Sequence, residues 1–149
     1  MKIGSRGLKL LKEFEGCKLQ AYRCSAGRWT IGWGHTGPEV VGGLVWTQAK
    51  ADDALLLDLK KAETAINTAV RIRLNQYQFD ALVCFAYNVG IQAFADSTMR
   101  RLLNEGSPEK AALQFGRWNK VTVSGVSEAS EGLTRRRAAE QKLFELEPK

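Results

Sequence analysis

The sequence has few of the residues that build metal centres and disulfide scaffolds. Its 149 residues include one histidine, His35, and three cysteines, Cys17, Cys24 and Cys84. A zinc site needs several spaced Cys, His or acidic ligands, and a secreted disulfide framework needs a larger, even number of cysteines. We therefore expect neither a metal ion nor a disulfide scaffold, and no motif indicates another cofactor.

Long hydrophobic runs are also missing. The longest apolar stretches, such as residues 54–57, are far shorter than the roughly 20 residues that cross a bilayer. The basic segment at residues 1–7 is not followed by the apolar region and cleavage site of a signal peptide. The sequence alone therefore predicts a protein that accumulates in the cytoplasm of the cell that makes it.

Basic and apolar residues are plentiful. Lysine and arginine number 22 against 16 acidic residues, which gives a formal net charge of +6, and 44% of the residues are hydrophobic. A chain of this length can bury the core of one globular domain. The positive charge favours a polyanionic partner, namely nucleic acid, an anionic membrane surface or an anionic cell wall, and does not choose among them.

The N-terminal third predicts a helix followed by a β-hairpin. Apolar spacing indicates a helix over residues 5–15, which Gly16 ends. Two β-prone stretches, 19–22 and 29–33, flank a turn at 25–28. Five glycines then crowd positions 32–43, which predicts an irregular segment with exposed backbone.

Beyond Thr47 the pattern is helical. Thr47 is an N-cap candidate, and apolar residues then recur every three or four positions for about 23 residues, long enough to bridge two lobes. Further signals are a capping box at Asn75 and Gln78, a stop at Gly90, a proline start at Ser107-Pro108-Glu109, a loop over about 121–131 and a last helix over about 133–146.

Together these elements predict an α+β fold in a single domain, residues 1–149. A small β-containing lobe covers about 16–46, and a larger helical lobe covers about 47–149 together with the helix at 5–15. The long helix after Thr47 joins the two lobes.

Glu15 is the first candidate for chemistry. The carbonyl groups exposed at the end of a helix disfavour its anionic form, and apolar neighbours such as Phe14 act in the same direction. Both effects favour the protonated carboxyl that a general acid requires. The hairpin brings Cys24 and Thr30 beside it, within reach of the roughly 5 to 9.5 Å that separates the two catalytic groups of glycosidases. These residue types at this spacing are not specific on their own.

A longer motif adds that specificity. It consists of Glu15, Cys24 after eight further residues, Thr30 after five more, and the segment IGWGHTG at 31–37. The motif resembles the phage lysozymes of glycoside hydrolase family 24. The similarity continues through ALVCFAYNVG at 81–90, through 94–103, and through GLTRRR at 132–137. It therefore covers nearly the whole chain and implies a lysozyme-like fold.

The resemblance also implies a function and roles for the three residues. It implies an endolysin that hydrolyses the β-1,4 bonds between N-acetylmuramic acid and N-acetylglucosamine in peptidoglycan. Glu15 is then the proton donor, and Thr30 holds the attacking water. Cys24 stands where many relatives carry an aspartate base. A neighbouring carboxylate raises the pKa of a thiol, so we expect little thiolate at Cys24. Inversion and retention at the sugar carbon both stay open.

Three more residues are predicted to bind substrate: His35, Asn88 and Arg135. Asn88 falls where relatives carry Asn or Gln near the substrate cleft. Arg135 opens the run of arginines at 135–137, of which we expect one to contact substrate carboxylates and the others to form a solvated face. The alternative for His35 is a structural role, hydrogen-bonding the lobe near the floor of the cleft.

Two other functions remain open at this stage. One is a lytic transglycosylase, which uses a single acid and cyclises the muramoyl product. The other is a cationic protein that acts by binding or by disturbing membranes. Nucleic-acid binding is not expected, because no recognition helix or aromatic–basic platform accompanies the charge. The family further implies a monomer, held in the host cytoplasm until a holin-type pore releases it to the periplasm and cell wall.

Overall fold

The computed structural model describes residues 1–148. Its helices are α1 (Ser5–Glu15), α2 (Gln48–Ala69), α3 (Gln76–Val89), α4 (Ile91–Ala95), α5 (Thr98–Asn104), α6 (Pro108–Ala112) and α7 (Glu131–Phe144), with a 3-10 turn at Phe115–Arg117. Its strands are β1 (Lys18–Arg23), β2 (Trp29–Gly32), β3 (Lys120–Val123) and β4 (Val126–Ala129). None of the helices in this range is both long and apolar enough to cross a membrane.

The first hairpin forms where the sequence predicts it. Strands β1 and β2 pair antiparallel, with Tyr22 opposite Thr30, and isolated bridges join Gln20 to Val45 and Ile31 to His35. These bridges attach the glycine-rich loop to the hairpin, so the small lobe is a sheet fragment with an irregular wall. The predicted helix at 5–15 is also confirmed.

The core of the helical lobe is built around α3. Its residues 79–86 are buried without interruption, because other helices surround it. Phenylalanine rings pack edge to face around Phe85, with centroids 5.4 Å from Phe115 and 6.3 Å from Phe94. Aromatic pairs in this geometry add roughly 0.5–1.5 kcal/mol beyond their buried area. Helix α3 is therefore a rigid support for the helices that pack on it.

Helix α1 is fixed to α3 by a buried carboxylate. Gly4 precedes α1 and has no side chain to cap it, and Asp80 of α3 replaces the missing cap. Its oxygens accept hydrogen bonds from the backbone N–H of Gly4 (2.8 Å) and of Gly7 (3.1 Å). The start of α1 is thereby pinned, which sets the direction in which its last residue, Glu15, points.

The long helix and its cap agree with the prediction. The Thr47 hydroxyl accepts a hydrogen bond from the Lys50 N–H at 3.1 Å, and α2 runs for 22 residues. Asn75 and Gln78 form both hydrogen bonds of a capping box at the start of α3. Gly90 ends that helix with a φ of +103°, a conformation that favours glycine.

The predicted loop over 121–131 is wrong, because β3 and β4 form a second hairpin there. The turn is Ser124-Gly125, both with positive φ, flanked by the paired residues Val123 and Val126. A two-residue turn with positive φ between β-branched residues is typical of a hairpin. The Ser, Gly and Val content of the segment does not by itself distinguish such a hairpin from a loop. The last helix accordingly starts at Glu131, and the proline start at Ser107-Pro108 opens only the five-residue α6.

Gly7 tests the contact between α1 and α3. A Cβ added at Gly7 would lie 2.6 Å from the Asp80 Cβ. We expect Gly7→Ala to lower the free energy of unfolding by roughly 1–3 kcal/mol, because overpacking outweighs the better helix propensity of alanine. Urea denaturation measures the change. The matched control is Gly132→Ala in α7, whose Cβ would meet only the Ser130 Oγ at 3.8 Å. Equal losses in both variants would contradict the tight contact.

Candidate active site

The C-terminal end of α1 places Glu15 between the two lobes. Gly16, with a φ of +64°, ends the helix and donates its N–H to the Lys12 carbonyl at 2.9 Å. The chain then turns directly into β1. The Glu15 side chain is 15% exposed, so its carboxyl is largely enclosed yet still reaches solvent.

Gly34 forms the surface against which this carboxyl lies. Its φ is +82°, and a Cβ at this position would overlap Glu15 Oε1 and lie 2.8 Å from Glu15 Cδ. Two backbone hydrogen bonds between Ile31 and His35, at 2.8 and 2.9 Å, close the turn that presents Gly34. The turn therefore requires glycine both for its conformation and for the close approach of the carboxyl.

Arg136 holds the other side of Glu15. Its Nη1 donates to Glu15 Oε2 at 2.7 Å, and only 6% of its side chain is exposed. The sequence predicted apolar surroundings through Phe14. Phe14 is instead 36% exposed, with the Arg136 guanidinium carbon 5.8 Å from its ring centroid. The principal neighbour of Glu15 is therefore a cation, which sequence analysis missed.

The expectation of a solvated arginine face on α7 is also wrong. Arg136 and Arg137 are buried, while Arg135 is exposed. The buried pair is compensated by Glu140, whose side chain is fully buried on the same helix. Helical periodicity could not show which arginines are buried, because the side chains of three consecutive residues point in three different directions around the helix axis.

The hairpin brings Cys24 and Thr30 together. The Cys24 N–H donates to the Arg28 carbonyl at 2.9 Å, and the Gly27 N–H donates to the Cys24 carbonyl at 2.8 Å, which closes the turn. Thr30 is buried, and its hydroxyl donates to the Arg28 carbonyl at 3.0 Å. The half-buried Cys24 thiol thus lies at a turn held by hydrogen bonds.

The surroundings of Cys24 act on its pKa in the direction opposite to the one expected. Burial raises the pKa of the thiol. A larger opposite effect comes from hydrogen bonds donated by the backbone at Arg28 and Ala26 and by the Thr30 side chain, together with the positive charge of Arg28. The pKa therefore lies below the ordinary value of a cysteine. The prediction of a raised pKa is wrong because donors in the turn, rather than a carboxylate, determine the direction.

Tyr22 is a site residue that the sequence analysis did not propose. Burial, the charge of Glu15 and the charge of Cys24, in that order, raise the pKa of its hydroxyl. Lys18 Nζ lies 4.7 Å from the centroid of its ring. The available signal was strand alternation, since residues 22 and 24 of an extended chain face the same side.

His35 connects the small lobe to α2. Its Nδ1 lies 2.6 Å from Asp58 Oδ2, and its Nε2 lies 2.6 Å from Glu39 Oε1. Its ring packs against Trp46 at 5.3 Å between centroids. Both ring nitrogens are engaged by carboxylates, so this geometry favours the structural alternative over the predicted contact with substrate.

Asn88 and Arg135 differ in their surroundings. Asn88 is exposed at the end of α3, and its Oδ1 accepts a hydrogen bond from Arg137 Nη2 at 2.7 Å. Asn88 therefore belongs to the buried arginine network, and Arg135 does not. Across residues 1–148, no three His, Cys or acidic side chains are grouped as a metal site.

The fold thus joins a hairpin lobe, which carries Cys24 and Thr30, to a helical lobe, with the enclosed carboxyl of Glu15 at the end of α1. The family model for phage lysozyme matches residues 12–140. The chain belongs to the phage lysozyme family, and it is accordingly a lysozyme, a peptidoglycan hydrolase. Its predicted lysozyme-like α+β class is confirmed.

Individual relatives agree with this assignment. The chain is 40% identical over 145 residues to the endolysin of Acyrthosiphon pisum secondary endosymbiont phage 1, covering 97% of this chain and 99% of the relative. It is 44% identical over 146 residues to the endolysin of Bacillus phage PZA, covering 97% of this chain and 55% of that relative. The muramidase domain of SpmX from Asticaccaulis excentricus superposes with a TM-score of 0.87 at 40% identity, covering 98% and 99% of the two chains.

Gly34→Ala tests the contact between the turn and Glu15. We expect turnover to fall about 100-fold, because the new Cβ displaces the Glu15 carboxyl. The control is Gly43→Ala, which has a similar φ of +89° and nothing within 4 Å of the added Cβ. Both variants lose stability of about 1–2 kcal/mol from the left-handed backbone, so only a direct effect separates their activities. Equal activity in the two variants would contradict the contact.

His35 predicts a pH-dependent stability. Burial lowers the pKa of His35, but hydrogen bonds and charges of Glu39 and Asp58 raise it more, to a net value above the ordinary one. The stabilisation is complete below about pH 6.5 and is lost as the pH rises through the raised pKa of the folded state. We expect the stability difference between the parent and His35→Asn to shrink over that range in urea titrations. A difference independent of pH would reject the charged pairing.

Proposed function

We propose that this lysozyme is an endo-acting N-acetylmuramidase in which Glu15 is the proton donor. The supporting observation is the position of its carboxyl, which lies between the Gly34 backbone and Arg136 at the junction of the lobes. A net charge of +6 suits an anionic cell wall.

The two oxygens of Glu15 have different tasks in this proposal. Oε2 accepts the hydrogen bond from Arg136, and Oε1, which faces Gly34, is the oxygen that holds the proton in the acid form of the carboxyl. That proton passes to the glycosidic oxygen as the bond from this oxygen to the sugar carbon breaks, with a transition state resembling an oxocarbenium ion. Arg136 then stabilises the carboxylate that the transfer leaves behind.

Cys24 and Thr30 act on the water that completes hydrolysis. The Thr30 hydroxyl has a single proton, which the Arg28 carbonyl and the Cys24 thiolate share as acceptors, and the lone pairs of its oxygen accept a hydrogen bond from the water. The lowered pKa of Cys24 increases its thiolate fraction, and the thiolate accepts the proton that the water loses. Water adds to the sugar carbon, the Cys24 thiol then releases its proton to solvent, and Glu15 regains one from solvent, so that both groups return to their starting states.

A lytic transglycosylase is the competing activity, because its mechanism needs only one acid. The lowered pKa of Cys24 favours hydrolysis, since it provides a base for the water. The mass of the released glycan decides between them. A reducing end that has gained one water supports the muramidase, and a 1,6-anhydro end contradicts it.

We further propose that the protein acts as a monomer that reaches the wall from the host cytoplasm through a holin-type pore. The endolysins among its relatives support this route by their name alone. Expression with and without a pore-forming partner tests it. Lysis that proceeds equally in both cultures would contradict dependence on the pore.

Glu15→Gln is the direct test of the enzymatic proposal. We expect turnover to fall at least about 100-fold, the range of general acid catalysis, because glutamine has no proton to transfer. Clearing of chloroform-treated Gram-negative cells measures the loss, and Glu13→Gln, on an exposed part of α1, is the control. Undiminished killing by Glu15→Gln would support a purely cationic mode of action instead.

Exchanges at position 24 test the proposed base. We expect Cys24→Asp to remain active, because a carboxylate also accepts a proton, and Cys24→Ala to lose about tenfold or more. Cys17→Ala, which removes the other half-buried thiol of the region, should retain activity. Full activity of Cys24→Ala would refute a role for the thiol in proton transfer.

A further inference from the structure

A buried charged cluster lies beneath the site, and two of its three members, Arg137 and Glu140, have no part in the mechanism described above. It consists of Arg136, Arg137 and Glu140 of α7, with side chains 6%, 1% and 0% exposed. Burying such charges costs several kcal/mol per ion unless they are paired with good geometry.

Glu140 binds both arginines at once. Its Oε2 accepts hydrogen bonds from Arg136 Nε at 3.0 Å and from Arg137 Nη2 at 3.1 Å. Its Oε1 lies 2.8 Å from Arg137 Nε. Because both guanidinium groups are planar and rigid, one carboxylate sets the plane and direction of each.

The other ends of the two guanidinium groups reach two different parts of the site. Arg136 donates to Glu15 Oε2 at 2.7 Å and to the Cys84 carbonyl at 3.1 Å. Arg137 donates to Asn88 Oδ1 at 2.7 Å and stacks over the Phe85 ring at 5.0 Å. A continuous chain of hydrogen bonds thus runs from the exposed amide of Asn88 to the carboxyl of Glu15.

We infer that Glu140 is a positioning residue that orients Glu15 through Arg136 and the side-chain amide of Asn88 through Arg137. This inference rests on the proposed function, and it deepens it by fixing which atoms Asn88 presents. Arg137 is a donor only, so it must face the Asn88 oxygen, and the Nδ2 hydrogens turn outward to solvent. The site at Asn88 therefore selects a hydrogen-bond acceptor, such as a substrate carbonyl oxygen.

The arrangement predicts separate kinetic effects for its two branches. Asn88→Ala and Arg137→Met should each raise KM about tenfold, the equivalent of one lost hydrogen bond, with kcat within about twofold of the parent. The double variant should have the KM of the more affected single variant, because both remove the same contact. Glu140→Gln should raise KM similarly and also lower kcat about tenfold, since Arg136 loses the partner that directs it to Glu15.

Matched controls separate positioning from loss of structure. Arg101→Met and Glu105→Gln remove one partner each from the exposed ion pair of α5, whose atoms lie 2.9 Å apart, and should keep the parent kcat and KM. Arg137→Lys retains the buried charge without the forked guanidinium, and it replaces Arg137→Met if that variant does not fold. In the folded variants, nuclear magnetic resonance of the Asn88 side-chain amide gives a readout that does not depend on turnover.

The possible results lead to different conclusions. Non-additive KM effects at positions 88 and 137, with a shifted Asn88 amide resonance in Glu140→Gln, support the inference. Additive effects, or parent values of kcat and KM in Glu140→Gln, overturn it while Glu15→Gln stays inactive and the proposed function stands. Full hydrolysis by Glu15→Gln would overturn both.

Discussion

The contact between Glu15 and Arg136 is the interaction on which this site depends. It joins the last residue of α1 to α7 across 121 positions of sequence, at an N–O distance of 2.7 Å. When Glu15 is ionised the two groups form a buried ion pair, which contributes little net stability, although removal of one partner leaves a costly unpaired charge. The pair therefore acts mainly as a geometric constraint, which holds a reactive carboxyl at one position between two lobes.

This constraint is effective because a second carboxylate fixes the element or side chain of each partner. Asp80 fixes the start of α1 on α3, and Glu140 fixes Arg136 within α7. Gly34 then closes the site from the side of the hairpin. The turn at Gly34 and helix α7 thus meet at one side chain of α1, and the continuously buried α3 is the body on which α1 and α7 both pack.

Local signals in the sequence predicted the secondary-structure elements of this assembly. They could not predict contacts between residues that are distant in the chain. The end of α1 at Gly16, the hairpin around residues 25–28 and the capping box at Asn75 follow from short-range chemistry. The burial of Arg136 does not, because its partner Glu15 is distant in the chain. The direction of the Cys24 pKa was missed for a related reason, since it depends on how the turn orients its hydrogen-bond donors.

The second hairpin, β3–β4, has a further consequence for how this molecule tolerates change. Apart from Val121 its residues are exposed, and a two-stranded ribbon of this kind is marginally stable by itself. It is nevertheless closed at its base by the Ser130 N–H, which donates to the Asn119 carbonyl at 2.8 Å, directly before α7. The tip at Ser124 and Gly125 is therefore a place where foreign peptides can be grafted, while the anchored base isolates the helix of Arg136 from the insertion.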